Sequence, residues 1–84
     1  MEAITDNCKE KLVEFLCNCL DSRDKRYMFL RLEFPKVISH IQLDGSAHYV
    51  SWQIIFEFEN RNMLGSLIAT LNAKLGANLD LETK

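Results

Sequence analysis

The stretch from Ser46 to Gly76 limits what this chain can fold into more than any other. Its second half places Leu64, Leu67, Ile68, Leu71 and Leu75 at i, i+3, i+4, i+7 and i+11, the stripe of a helix with one buried side. Asn62 is placed to cap its first free N–H groups, and Gly76 to end it in the left-handed conformation. Before it, Ser46 is placed to cap a helix whose Ala47, Val50, Ser51, Ile54, Ile55 and Phe58 share one face. Only Asn60-Arg61-Asn62 separates the two, and so short a link obliges them to pack as neighbours.

The chain has 84 residues, enough for one small domain with little room for an enclosed active site beside its core. With 48% hydrophobic and 26% charged residues it has the balance of a soluble globular protein. Ten basic residues stand against 12 acidic ones, a net charge of −2, so nucleic acid and anionic membrane are not the expected partners. No apolar run approaches the ~18 residues of a membrane span, and Met1 leads into Glu2 and Asp6 rather than a basic and then apolar signal; the chain reads as cytoplasmic. Cys8, Cys17 and Cys19 are an odd set. Cys17 and Cys19 point apart on a helix, and reduced, partly buried thiols fit best.

From about Thr5 to Leu20, Cys8, Leu12, Phe15, Leu16, Cys19 and Leu20 recur at helical spacing. Asn7 with Glu10 has the form of a capping box, and Thr5 or Asp6 are alternative caps. Asp21-Ser22 separates this from a helix over Arg23–Phe34. That helix is apolar at Tyr27, Met28, Phe29, Leu30, Leu32 and Phe34, and is expected to sit centrally. Pro35 ends it and opens a third, running to Leu43 and burying Val37, Ile38 and Ile41. After Gly76, Leu79 and Leu81 are placed to dock as a last turn.

A competing pattern runs through the same region. Val50, Trp52, Ile54, Phe56 and Phe58 alternate with Ser51, Gln53, Glu57 and Glu59 as in a strand, and Asp44-Gly45 is a favoured hairpin turn. That reading is an α-β-β-β-α chain, a small regulatory or ligand-binding domain. Ile55 breaks the alternation, and the cap at Ser46 and the short link favour helices.

The order of features from Ser22 to Leu81 resembles the effector-associated, death-like domains of bacterial immune proteins, which are related in fold to animal death domains and caspase-recruitment domains. The resemblance is carried by Gly45-Ser46 ahead of a helix, by Trp52 within Val50-Ser51-Trp52-Gln53-Ile54-Ile55, and by Glu57-Phe58-Glu59. It continues in Met63-Leu64-Gly65-Ser66-Leu67-Ile68 and in Gly76-Ala77-Asn78-Leu79-Asp80-Leu81. Where that family often has Gly after the acidic pair, this chain has Asn60-Arg61-Asn62, and asparagine tolerates the same left-handed turn. The resemblance implies an all-α, five- to six-helix antiparallel bundle of death-fold type. It also implies homotypic association with like death-fold domains, as a homo-oligomer or with a partner protein, and no catalysis or cofactor. The domain would be the N-terminal module of a larger defence effector or a free-standing adaptor.

The residues themselves offer little catalytic chemistry. Cys17, Cys19, His40 and His48 match no compact metal-ligand spacing, and no third group is in view to orient a Cys–His pair. Glu57 and Glu59 diverge on a helix, and three glycines form no phosphate loop. The charges are more informative. Arg23, Lys25 and Arg26 sit in the first turn of a helix, where its dipole disfavours cations. With Arg31 they are expected to form a basic face, and Asp44, Glu57, Glu59 and Asp80 an acidic one, through which neighbouring copies meet. The plainer reading has them solvated and offset locally by Asp21 and Asp24. Trp52 and Phe56 fall off the main stripe, either completing the core from a second side or standing out as interface anchors.

Overall fold

A computed structural model describes residues 5–79 of the chain. They form five helices: α1 (Asp6–Cys19), α2 (Arg23–Glu33), α3 (Pro35–Ile38), α4 (Ala47–Asn60) and α5 (Leu64–Leu75). The described residues are thus all-helical and contain no strand. This corrects the α-β-β-β-α alternative. Within the alternating run, Val50, Ile54 and Phe58 are also spaced at i, i+4 and i+8, and with Ser51 and Ile55 they form the buried face of α4. Trp52 and Phe56 fall on the helix's other side, so an apparent period of two is two helical faces read together.

Side-chain caps explain where three of the helices begin. Thr5, Ser22 and Ser46 each accept a hydrogen bond from the backbone N–H three residues on, at 3.1, 3.2 and 3.1 Å. Thr5, not Asn7, therefore opens α1. Gly45, whose φ of 125° suits a residue without a side chain, turns the chain into the Ser46 cap, so Asp44-Gly45 is a helix entry rather than a hairpin.

The link after α4 gives Asn62 a role that the expectation of a cap for α5 did not include. Asn62 has φ 57° and lies past the end of α4. Its N–H donates to the Glu59 carbonyl at 3.1 Å, and that of Met63 to the Phe58 carbonyl at 2.8 Å. These are the paired bonds of a Schellman motif, so Asn62 closes the helix before it, and α5 follows directly from Met63. Gly76 ends α5 in the left-handed region, at φ 68°.

The core lies between α1 and α4, with α5 packed on α4, and α2 and α3 packed on each other. Leu12 and Leu16 of α1 meet a wholly buried set of Val50, Ile54, Ile55 and Phe58, completed by Leu64, Leu67 and Leu71 of α5. Phe34 stands edge-on to Phe58 with ring centroids 4.7 Å apart. In α1 the buried set takes in Val13 and leaves Cys19 exposed, and Leu75, the last member of the α5 stripe, is also exposed.

Two further expectations are corrected here. The third helix is one turn long, because Ile41 and Leu43, two residues apart, are both buried, a spacing that extended backbone supplies and a helix does not. The second helix is not central. It buries Arg26, Phe29 and Leu30, and leaves Tyr27, Met28 and Leu32 facing outward. After Gly76 the chain folds back as non-helical backbone. Asn72 donates from Nδ2 to the Leu79 carbonyl at 2.9 Å and accepts from its N–H at 3.0 Å, fixing Leu79 against the core. Leu81 lies outside the described residues.

Candidate interaction surface

The charges expected to form two opposed faces are mostly engaged within the molecule. Arg23 and Asp44, assigned to opposite faces, form one ion pair at 2.8 Å that ties the start of α2 to the loop before α4. Lys25 reaches Asp21 at 3.1 Å, the local offset of the plainer reading. That lysine's hydrogen bond and charge hold the Asp21 carboxyl below the usual aspartate range, with a smaller push from the nearby Arg26 charge. Glu57 pairs with Arg61 one turn on, at 2.7 Å. Glu59 pairs with Lys9 of α1 at 2.9 Å, with both side chains largely shielded, so this pair fastens α1 to α4. Asp80 lies outside the described residues.

Arg26 needs the largest correction. It is 3% exposed and so belongs to no basic face. Its Nη1 donates to the Leu20 carbonyl at 3.2 Å, capping the end of α1, while its Nε has no partner. Arg23 and Lys25 are more than half exposed but ion-paired, whereas Arg31 is exposed and lies 5.9 Å from the centroid of the Tyr27 ring, with Nη1 3.4 Å from the phenol oxygen.

Large apolar side chains remain exposed as well. On α2, Met28 and Leu32, one turn apart, are 55% and 72% exposed, beside Tyr27 and Arg31. A shallow, mostly apolar groove continues from Met28 past Cys19 and Lys25 to Leu75 at the end of α5. The outer side of α4 carries the second surface. Trp52 is half-buried, whereas Phe56 and Tyr49 are 45% and 53% exposed. His48, Trp52 and Phe56 form a column, with centroids 6.5 and 5.7 Å apart, and Trp52 Nε1 donates to His48 Nε2 at 3.2 Å. Trp52 thus completes the core's flank, and Phe56 is the exposed member of the pair.

No family model, curated protein sequence or solved structure matches this chain. Its function therefore has to be argued from its own surfaces. The third surface feature is a groove of about 450 Å³ between α1 and α4, lined by Glu10, Val13, Glu14, Cys17, His48 and Trp52, with Asn18 at its end. At its floor the Cys17 thiol lies 3.6 Å from the hydroxyl of the wholly buried Ser51. Among the described residues no group of three His, Cys, Asp or Glu side chains converges as a metal site would require. No described helix is long and apolar enough to cross a membrane.

Charge counting overlooked the outward faces of α2 and α4. A usable signal was present: Tyr27, Met28, Arg31 and Leu32 fall at i, i+1, i+4 and i+5, a second stripe on a helix whose first stripe already serves the core.

Proposed function

We propose that this chain is a non-catalytic protein–protein interaction domain that associates with like domains, its own copies or those of a partner, through two different apolar surfaces. The observation that carries the reading is the pair of exposed faces left once the core is full: Met28 and Leu32 on α2, and Tyr49 and Phe56 on α4. Their rims are polar, as at protein contacts. Because the ion pairs at Asp44, Glu57 and Glu59 close within one molecule, apolar contact supplies the affinity, and Arg31 sets orientation at the rim. Two unlike faces make a heterologous contact, which extends into an open assembly when its rotation does not close.

The death-like resemblance supports the same reading and extends it to bacterial defence, where assembly would recruit or activate an effector. Sedimentation velocity over a concentration series tests the contact. Wild type is expected to self-associate, and Leu32→Glu and Phe56→Glu each to weaken that by about tenfold or more while remaining helical by circular dichroism. Mixing the two variants restores a one-to-one pair, since each keeps one intact face. A wild type that stays monomeric at every concentration, or variants that assemble like wild type, would overturn the proposal.

A further inference from the structure

The groove between α1 and α4 has a composition that apolar association does not account for. Glu10 and Glu14 stand one turn apart on α1 and both line it. Like charges at that spacing destabilise a helix about as much as an opposite pair stabilises it. Glu57 and Glu59 have found cations at 2.7 and 2.9 Å, and Asp21 and Asp44 theirs at 3.1 and 2.8 Å. Among the described residues Glu10 and Glu14 have no such partner. Facing them across the groove is Trp52, whose N–H is already given to His48 and whose ring also leans on Phe56, so what it offers the groove is the remaining surface of the indole. Val13 adds an apolar wall and Asn18 an amide at the end.

We propose that this groove is a binding site for an organic cation of the alkyl-guanidinium class. The planar guanidinium stacks on the indole of Trp52 and spreads its donors between the carboxylates of Glu10 and Glu14, while its alkyl stem lies along Val13. A compact ammonium would satisfy the carboxylates but would make less use of the flat aromatic wall. The volume, about 450 Å³, lies in the range of small-molecule sites. Occupancy also relieves the repulsion between the two glutamates. The inference is independent of the association reading: it uses a different set of side chains and needs no second copy.

The chain has a single tryptophan, so its emission comes from the wall of this groove and is read at a protein concentration where sedimentation shows no change of assembly on adding ligand. Titration of the whole protein with agmatine is expected to give a saturable change in Trp52 emission, and titration with uncharged butylurea none. Glu10→Gln with Glu14→Gln, both solvent-exposed, is expected to keep the helical circular dichroism and to weaken agmatine about tenfold or more. A short peptide with one arginine, run in parallel, distinguishes the source of the cation: tighter binding than agmatine indicates a side chain of another protein, equal or weaker binding a free small molecule. An unsaturable response to agmatine, an equal response to butylurea, or unchanged affinity in the double variant would overturn the site. Sedimentation of the same samples keeps the two proposals apart. Binding by a wild type that stays monomeric defeats only the association reading; a self-associating wild type blind to agmatine defeats only this one.

Discussion

Helices α2 and α4 are both rich in apolar residues on two sides, and the chain uses them in opposite ways. In α4 the inner set of Val50, Ser51, Ile54, Ile55 and Phe58 is wholly or almost wholly buried, and the outer aromatics are partly covered. In α2 the inner set is small, Arg26, Phe29 and Leu30, and the outer residues Tyr27, Met28 and Leu32 face solvent. Apolar content therefore does not tell which helix is central. Its angular position relative to capping and to neighbouring helices does, and a second apolar face beyond what the core requires is a surface available to a partner.

The largest effect that would test this contrast is a pair of truncations. Phe58→Ala removes a wholly buried ring that stacks edge-on with Phe34, and is expected to destabilise the fold by about 3–5 kcal/mol, enough to unfold much of so small a domain. Leu32→Ala removes a smaller, aliphatic side chain from the α2 surface and is expected to stay within about 0.5 kcal/mol of wild type. Urea denaturation followed by circular dichroism compares them. Similar losses at the two positions would mean that α2 is as central as α4, contrary to the burial.

Arg26 sharpens the comparison, because it is the one charge on the inner side of α2. Its guanidinium is desolvated, makes one bond to the Leu20 carbonyl and leaves Nε unsatisfied. Arg26→Met keeps the length and apolar stem while relieving that desolvation, and is expected to change stability by no more than about 1 kcal/mol in either direction. Arg26→Glu places an uncompensated carboxylate beside a carbonyl and is expected to destabilise by about 3 kcal/mol or more. Chemical denaturation of both variants checks this. Charge reversal at Arg26 is consequently a test of folding, not of surface contact. An Arg26→Glu protein as stable as wild type would return the residue to the surface and restore the basic face.

Much of the helix layout was legible because its signals are local. The caps at Ser22 and Ser46, Pro35 at the start of α3, Gly76 at the end of α5 and the inner stripe of α4 all depend on residues within one or two turns. Asn62 shows where local reading becomes ambiguous. An asparagine between two helices can serve the second through its side chain and the first through its backbone, and periodicity pointed only to the second, whereas the backbone bonds of Met63 and Asn62 to α4 show that it closes the first. The interaction surface was far less legible. Ion pairs such as Arg23–Asp44 and Lys9–Glu59 join residues distant in sequence, so no periodicity reveals that those charges are already engaged. The gathering of Glu10, Glu14 and Trp52 around one groove likewise exists only because α1 packs on α4.

The smallest expected effect concerns the exposed pair that opens α2. The Lys25 hydrogen bond and charge depress the Asp21 carboxyl, so the folded state holds the ionised form more firmly than the unfolded chain does. For a depressed acid the sign is fixed. Its contribution is complete above the unfolded carboxylate range, near pH ~4, and is lost as pH falls through the lower folded value. Both side chains are more than half exposed, at 56% and 59%, so salt screens the pair and its share of stability is minor. Titration of the Asp21 side-chain carboxyl carbon by NMR is the sensitive measurement. The midpoint is expected below that of an unpaired aspartate, to move upward in Lys25→Gln, and to move partway upward at high salt. A midpoint unchanged by Lys25→Gln would mean that Lys25 is as free as Leu32 and Met28, and that the start of α2, like its outer face, is open surface.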